Sequence, residues 1–239
     1  MNNSPINHAD PTGHCTVGGH WMDDSSSACQ WTTSHLTSDQ ELQTSENIVD
    51  STGRHYSMST KINANTVLSH DHFPSGFPYG YKMSTLSIAE GGGYPLAAYN
   101  GNDYPFGGTS LISVNGTLPG VVAPIASQET IASITSGDSV DVVYWDDSSS
   151  KPAVGTFTVS EIHLGKLPGT AYINLNSGGT INGGDSGSGI FYHGQLIGNL
   201  SNVTYSFQDV FGETFPSSSQ GELIPSYINQ SSVATTPVQ

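Results

Sequence analysis

The chain has 239 residues, with 5 lysines and arginines against 20 aspartates and glutamates, so its formal net charge is −15. This charge would repel phosphate backbones and anionic lipid surfaces, which argues against nucleic acid and membranes as partners. Only 10% of the residues are charged, and serine, threonine, glycine and asparagine fill the rest of the polar surface, as is typical of secreted β proteins. We therefore expect an exported, extracellular protein, and we also expect a monomer.

Residues 1–45 show little apolar–polar alternation and many turn formers, which predicts an irregular N-terminal extension. Cys15 and Cys29 flank a loop rich in glycine, serine and aspartate that could close into a disulfide, which we predict for an exported protein. A free pair of thiols or a metal site remains an alternative.

The same extension leaves open a metal-binding or carbohydrate-binding β protein as an alternative. Trp21 and Trp31 could stack on sugars, although tryptophans beside a cysteine loop are more often packing residues. The spacing of the candidate metal ligands fits no strong zinc pattern, so we predict no metal and no other cofactor. These ligands are His8, His14, Cys15, His20 and Asp23.

Beyond residue 45 the chain consists of short runs rich in β-branched and aromatic residues, separated by Gly, Pro, Asn and Asp. No long segment repeats apolar residues with a helical period, and runs of this kind predict an all-β barrel or sandwich protein. The predicted strands are, in chain order, HYSMSTKI, TVLSH, TSLISVNG, VVAPIAS, SVDVVYW, GTFTVSEIHL, TAYINLN, SGIFYHGQLIGNLSNVTY and GELIPSYI.

A turn-rich segment over residues 123–139 divides these strands into two groups. We predict a first β domain over residues 46–125 and a second over residues 126–230. The last residues, 231–239, have the composition of a flexible tail.

The stretch INGGDSGSGIF, residues 181–191, has the composition of a nucleophile loop. A serine hydroxyl needs a base to remove its proton and backbone donors to hold the oxyanion that forms. Gly184 and Gly187 leave the backbone free, so the N–H groups of Gly184 and Ser186 could converge on one oxygen. Asp185 is expected to turn inward as a structural anchor.

A second Gly-Asp-Ser sequence, at residues 137–139, serves as an internal comparison. The bulky Val140 follows it and the run continues as an ordinary strand, so Ser139 is predicted to be structural. The full context Gly-Gly-Asp-Ser-Gly-Ser-Gly distinguishes Ser186 from Ser139. A glycine-rich β-turn remains the alternative for Gly-Asp-Ser alone.

Two histidines lie at the end of an apolar strand, in NTVLSHDHF. The segment VLSHDHF resembles the Val-Leu-Thr-Ala-Ala-His-Cys segment of chymotrypsin-like serine proteases. The resemblance implies that His72 is the catalytic base and that His70 stands where the family usually has alanine. Phe73 replaces the usual cysteine, so the disulfide that often braces this loop is absent.

A serine protease of this kind uses a triad of serine, histidine and an acid. The acid should orient the imidazole of the histidine without taking its proton. Gly-Asn-Asp-Tyr in YNGNDYPFGG resembles the aspartate segment of the small bacterial members, which implies that Asp103 has this role. The order His72, Asp103, Ser186 is also that of the family. An Asx-type turn is the alternative for Asp103, and Asp71 and Asp50 are weaker candidates for the acid.

The resemblance extends over roughly residues 45–230 and implies two six-stranded antiparallel β-barrels with the active site between them. GQLIGNLSNV resembles the strand that lines the substrate cleft, which places Ser201, Asn202 and Val203 along it. Thr180 stands six residues before the nucleophile, where trypsin-like members carry an acidic residue. A basic P1 side chain would have no partner there, and Leu200 replaces the histidine of glutamyl-specific members, so uncharged P1 residues are favoured.

These residues together predict a secreted serine endopeptidase that acts on peptides or proteins through an acyl-enzyme. The alternative is a catalytically inactive member of the same fold that acts as a binding module. The unusual His70-Asp71-His72 segment and the YPFGG sequence after Asp103 favour that alternative.

Overall fold

The computed structural model describes residues 14–17, 20–23, 35–70, 87–88, 94–101, 109–114, 116–165, 171–204, 207–208, 214–215, 217–225 and 228. For residues 14–17, 20–23, 87, 94–101, 207–208 and 214–215 it describes the course of the backbone alone.

The described residues form sixteen strands and two five-residue helices. The strands are β1 His14–Val17, β2 His20–Asp23, β3 Ser45–Val49, β4 His55–Asn63, β5 Thr66–His70, β6 Ser87–Ile88, β7 Tyr94–Gly101, β8 Thr109–Val114, β9 Ser139–Asp146, β10 Lys151–His163, β11 Tyr172–Asn176, β12 Gly189–Tyr192, β13 Gln195–Thr204, β14 Phe207–Gln208, β15 Thr214–Phe215 and β16 Ser218–Leu223. The helices are α1 Ser38–Leu42 and α2 Gln128–Ala132.

The first barrel pairs its strands in the order β3-β4-β5-β8-β7-β6 and closes through antiparallel pairing of β6 with β3. Its interior is apolar and includes Ile48, Val67 and Ile112. Successive residues of a strand face opposite sides of the sheet, so Val67 of β5 points into this barrel while Leu68 points toward the second one. Both faces of β5 are therefore buried.

The second barrel pairs its strands in the order β10-β11-β16-β13-β12-β9, and every pair is antiparallel. A larger apolar cluster fills it, including Val142, Ile173, Ile190 and Ile197, each fully buried. Short two-stranded pairs, β1 with β2 and β14 with β15, lie outside both barrels.

The two barrels share a third apolar cluster, to which Leu68 of β5 and Phe191 of β12 both belong. The segment between the barrels, residues 116–138, bonds to each of them. The Ala123 N–H donates to the Lys61 carbonyl (2.8 Å), and the Leu196 N–H donates to the Pro124 carbonyl (2.8 Å). This segment therefore fixes how the barrels lie against each other.

The predicted all-β class is confirmed, and most predicted strands lie where the sequence indicates them. The predicted strand VVAPIAS is wrong, because these residues belong to the connecting segment and form only an isolated bridge, between Ile125 and Leu196. The extension is more regular than predicted, since β1 and β2 form a hairpin that pairs His14 with Asp23. The division into domains stays a prediction.

The structure describes no side chain before residue 35. It therefore does not test the predicted Cys15–Cys29 disulfide or the possible metal ligands of the N-terminal extension. The disulfide and the expected absence of a metal site both remain predictions. Within the described ranges, no helix is long and apolar enough to cross a membrane.

Candidate active site

The loop that carries Ser186 is folded by two local backbone bonds. The Asp185 N–H donates to the Asn182 carbonyl (3.2 Å), and the Ser188 N–H donates to the Asp185 carbonyl (2.9 Å). Gly184 has φ +106° and Gly187 has φ +90°, conformations in which residues with a Cβ are strained. The glycines that flank Asp185-Ser186 are therefore required by the backbone of the loop.

The Gly184 N–H is one of the two predicted oxyanion donors. Within the described residues this group makes no backbone hydrogen bond. The other predicted donor, the Ser186 N–H, belongs to a half-buried residue one turn later in the same loop.

Asp185 is buried, as expected for an anchor, with 1% of its surface exposed. Its carboxylate accepts the Trp145 N–H at 2.6 Å and the Asn182 N–H at 2.8 Å. Burial raises the pKa of Asp185, while the two backbone donors act in the opposite direction and Asp147 adds to the increase. The donors to this buried carboxylate are therefore backbone N–H groups, and Arg54, a basic residue near the start of β4, is exposed at a turn.

Ser186 is held against the first barrel. Its carbonyl accepts the Met58 N–H of β4 at 3.0 Å. A Cβ at the following residue, Gly187, would lie 2.0 Å from the Met58 carbonyl oxygen and 2.3 Å from Ser69 Oγ. Ser69 Oγ itself donates to the Met58 carbonyl at 2.8 Å. The candidate nucleophile therefore lies at the junction of the barrels, next to the strand that leads to His72.

His70 ends β5 and is 2% exposed. Its carbonyl accepts a hydrogen bond from Ser110 Oγ of β8. It is thus part of the packed end of the first barrel. His72, Asp103 and the alternative acid Asp71 lie outside the described residues.

The alternative acid Asp50 has a structural place. Its Oδ1 atom accepts hydrogen bonds from Thr52 N (2.8 Å), Thr52 Oγ1 (2.6 Å) and Arg54 N (3.1 Å), which makes an Asx-type turn. The hydrogen bonds from Thr52 are the main reason why the pKa of Asp50 is lowered. This carboxylate is used in the turn between β3 and β4.

The four predicted substrate-binding residues lie on two segments of the second barrel. Thr180 is exposed, and its N–H donates to the Ser177 carbonyl at 3.0 Å. Ser201, Asn202 and Val203 lie in β13, where Val203 pairs with Ser219 of β16. Ser201 Oγ donates to the Gln220 carbonyl (3.3 Å), while Asn202 is exposed.

A further group beside the loop was not predicted from the sequence. The His55 ring stacks on the Trp145 ring, with the centroids 4.3 Å apart and an interplanar angle of 3°. His55 Nε2 lies 3.2 Å from the Gly184 carbonyl oxygen, and Nδ1 lies 2.7 Å from Asn47 Oδ1. His55 is 129 residues from Gly184 in the chain, and no local motif marks such a contact.

The prediction that Ser139 is a structural residue of a strand is confirmed. It is the first residue of β9, is exposed and pairs with Thr158 of β10. The two Gly-Asp-Ser sequences therefore fold differently, and Ser186 is the one that lies in a loop between the barrels.

Comparison with known proteins identifies the fold. No protein-family model matches the sequence, and no curated protein matches it. Among solved structures, the chain is similar to the inactivated protease paralogue S-I1 of the scabies mite, with a TM-score of 0.62 and 12% identity over 84% of this chain and 100% of that one. It is also similar to human heparin binding protein, with a TM-score of 0.58 and 14% identity over 84% and 94%.

A third similar structure is the Rv3671c protease of M. tuberculosis in its inactive form, with a TM-score of 0.53 and 14% identity over 82% of this chain and 91% of that one. The chain thus has the chymotrypsin-like fold. The names of these structures show that the fold occurs in proteases and in inactivated paralogues.

Proposed function

We propose that the protein is a serine endopeptidase that hydrolyses peptide bonds through Ser186, His72 and Asp103. One observation carries the proposal. The loop of Ser186 is bonded to Met58 and packed on Ser69, three residues before His72 in the chain. The residue after the candidate nucleophile, Gly187, therefore lies against the strand that ends two residues before the candidate base.

The strand ends support the rest of the triad. β5 and β7 both pair antiparallel with β8, so they run parallel to each other and end at the same edge of the first barrel. β5 ends at His70 and β7 ends at Gly101. His72 follows the end of β5 by two residues, and Asp103 follows the end of β7 by two residues. We therefore expect both at this edge, beside Ser186.

In the proposed reaction, Ser186 Oγ attacks the carbonyl carbon of the peptide while His72 takes its proton. The N–H groups of Gly184 and Ser186 stabilise the negative oxygen that forms. His72 then gives the proton to the leaving amine, and the C–N bond breaks to leave an acyl-enzyme. Water then attacks the acyl carbon while His72 takes its proton, the bond from that carbon to Ser186 Oγ breaks to release the acid, and His72 returns the proton to Oγ. Asp103 orients His72 throughout.

The substrate cleft is proposed to run along β13, past Ser201, Asn202 and Val203, with Thr180 as a contact for the P1 side chain. Thr180 has no charge, so a Lys or Arg side chain would lose its hydration without gaining an ionic partner. The branched side chain of Val203 narrows the mouth of the pocket. We expect cleavage after small or medium uncharged residues, and a peptide library cleaved mainly after Arg, Lys or Glu would contradict this.

The setting proposed from the sequence is extracellular, with proteins or peptides as substrates and no nucleic-acid or membrane partner. The Cys15–Cys29 disulfide and a monomeric state belong to the same proposal. Thiol counting before and after reduction, and the molar mass in solution, test these two points.

Labelling with a fluorophosphonate tests the main proposal, because only an activated serine reacts rapidly with it. We expect one label per chain, mapped to Ser186, and loss of label in Ser186→Ala. Ser139→Ala is the matched control, since Ser139 also follows Gly-Asp but lies in a strand. A folded wild-type protein that takes no label would instead favour the inactive binding module.

A further inference from the structure

The carbonyl of Gly184 is held from the opposite barrel. His55 belongs to β4 and Asn47 to β3, both in the first barrel, whereas Gly184 belongs to the loop of the second. A Cβ at Gly184 would lie 3.1 Å from His55 Nε2, so the imidazole fills the space beside this glycine. A side chain at residue 184 would crowd the imidazole, which would have to shift by a few tenths of an ångström.

The bond from His55 acts on the peptide between the two oxyanion donors. The Gly184–Asp185 peptide has its carbonyl at His55 Nε2 and its N–H on the Asn182 carbonyl (3.2 Å). The predicted donors belong to the peptides before and after it. Fixing the plane of the middle peptide therefore restricts the direction of both donor N–H groups.

A carbonyl oxygen only accepts hydrogen bonds, so His55 Nε2 must carry the proton in this contact. A neutral ring then accepts at Nδ1 from the Asn47 amide, turned with its NH₂ inward. An imidazolium donates at Nδ1 to Asn47 Oδ1 instead. The Asn47 amide can present either its NH₂ group or its oxygen to Nδ1. Nε2 can therefore donate to the Gly184 carbonyl in both protonation states of the ring.

Trp145 connects this contact to the anchor of the loop. Its ring stacks on His55, and its backbone N–H donates to Asp185 Oδ1 at 2.6 Å. Burial lowers the pKa of His55, while the Gly184 carbonyl and the carboxylate of Asp147 act in the opposite direction. The ring is thus fixed on one face by Trp145 and at both nitrogens by polar partners.

We propose that His55 is a positioning residue, which, with Asn47 and Trp145, holds the Gly184–Asp185 peptide so that the N–H groups of Gly184 and Ser186 point into the cleft. This inference rests on the proposed function for its effect on the reaction. Its structural part, the orientation of the loop, holds independently of activity.

Two substitutions separate the hydrogen bond from the packing. His55→Phe keeps a planar ring on Trp145 but removes both nitrogens, and His55→Gln loses the ring but keeps an N–H donor near the position of Nε2. We expect His55→Phe to lower kcat roughly 10- to 100-fold with KM within about threefold, below the loss of a whole oxyanion donor. His55→Gln should recover most of the rate.

The control is His163→Phe, because His163 also stacks on an aromatic ring, that of Tyr172, but on the exposed side of the second barrel. It should behave like the wild type in every assay. An unchanged kcat in a folded His55→Phe variant, or equal losses in His55→Gln and His55→Phe, would overturn the inference.

The amide NMR resonances of Gly184 and Ser186 give a readout that needs no activity. They should shift in His55→Phe, return toward the wild type in His55→Gln and stay unchanged in His163→Phe. If His55→Phe does not fold, Asn47→Leu replaces it and should produce smaller shifts in the same direction. Unchanged resonances in the variants would refute the positioning role. If the resonances shift as expected but the wild type takes no fluorophosphonate, only the proposed function is refuted.

Discussion

Gly187 packs against Met58 with no space for a side chain, since a Cβ at Gly187 would lie 2.0 Å from the Met58 carbonyl oxygen. Its φ of +90° adds a conformational cost for any other residue. We predict that Gly187→Ala pushes the Ser186 loop off the first barrel and lowers the free energy of unfolding by about 2–4 kcal/mol. Fluorophosphonate labelling of the remaining folded protein should slow at least roughly tenfold.

Gly137→Ala separates the two causes. Gly137 has φ +96°, but a Cβ there would have no atom within 4 Å. This control carries the conformational cost without the clash, so it should lose only about 1 kcal/mol and label normally. Equal effects in the two variants, measured by chemical denaturation and labelling, would show that the contact with Met58 does not matter.

The second prediction concerns Lys61, which is 4% exposed. Its ammonium donates to the carbonyls of Leu118 (2.6 Å), Pro119 (2.8 Å) and Gly120 (3.0 Å), at the start of the segment between the barrels. Burial lowers the pKa of Lys61, and the nearby Glu46 opposes this. All three N–H bonds of the ammonium have acceptors, which explains how a lysine is tolerated there.

Lys61→Met keeps an unbranched side chain as far as the Cε position but removes the ammonium, so these carbonyls lose their donor. We expect the free energy of unfolding to fall by about 2–4 kcal/mol. Lys151→Met is the control, because Lys151 is exposed at the start of β10 and should change stability by less than about 0.5 kcal/mol. If urea denaturation gives both variants the same midpoint, the role assigned to the Lys61 ammonium is wrong.

Strands of the second barrel could be predicted from the sequence because their composition is unambiguous. SVDVVYW and the run that contains β12 and β13 are rich in β-branched and aromatic residues, and turn residues separate them. β7, with the sequence YPLAAYNG, was missed because proline and alanine are poor strand formers. In this strand, barrel closure outweighs local preference.

VVAPIAS was predicted as a strand because it is apolar, yet it is apolar for another reason. Ala123 and Ala126 are buried where the connecting segment passes between the barrels, and its backbone bonds to single residues of each barrel instead of a ladder. An apolar sequence indicates that a segment is buried, but it does not show which neighbouring element covers the segment. For the same reason the loop of Ser186 was recognisable from its glycines, whereas the contact with His55 depends on the final packing of distant strands.

The third prediction concerns a polar bond within the junction of the barrels. Thr109 Oγ1 of β8 donates to Asn199 Oδ1 of β13 at 2.6 Å, and both residues are buried. We expect Thr109→Val to cost about 1–2 kcal/mol, because Asn199 is left with an unsatisfied acceptor. A double-mutant cycle with Asn199→Leu should give a coupling energy of about 1 kcal/mol.

Thr156→Val is the matched control for this cycle. Thr156 Oγ1 donates to Asp141 Oδ1 at the same distance, 2.6 Å, but on the exposed side of the second barrel. Water can replace that bond, so the cost should stay below about 0.5 kcal/mol. A coupling energy near zero between Thr109 and Asn199 would mean that the bond does not stabilise the junction.

The last prediction concerns the pH dependence of stability and the buried carboxyl of Glu41. Glu41 is 1% exposed, and its Oε2 atom has no hydrogen-bond partner among the described residues. Burial, together with the nearby carboxylate of Asp141, raises the pKa of Glu41 from 4.5 to about 8. In the unfolded chain the group ionises near its ordinary value, so the unfolded state loses this proton first as the pH rises.

A carboxyl group with a raised pKa in the folded state contributes its full stability below the unfolded value, and this contribution is lost as the pH rises toward the folded value. The wild type should therefore become less stable between pH 4.5 and pH 8. Glu41→Gln cannot ionise, so we expect it to be more stable than the wild type by on the order of 4 kcal/mol at pH 8, and nearly equal to it at pH 4.5.

Urea denaturation at several pH values measures this difference directly. Glu129→Gln is the control, because Glu129 lies in the first turn of α2 on the surface and its replacement should change the free energy of unfolding only slightly. If Glu41→Gln follows the pH dependence of the wild type, the Glu41 carboxyl is ionised in the folded protein at neutral pH. A partner outside the described residues would then have to stabilise its charge.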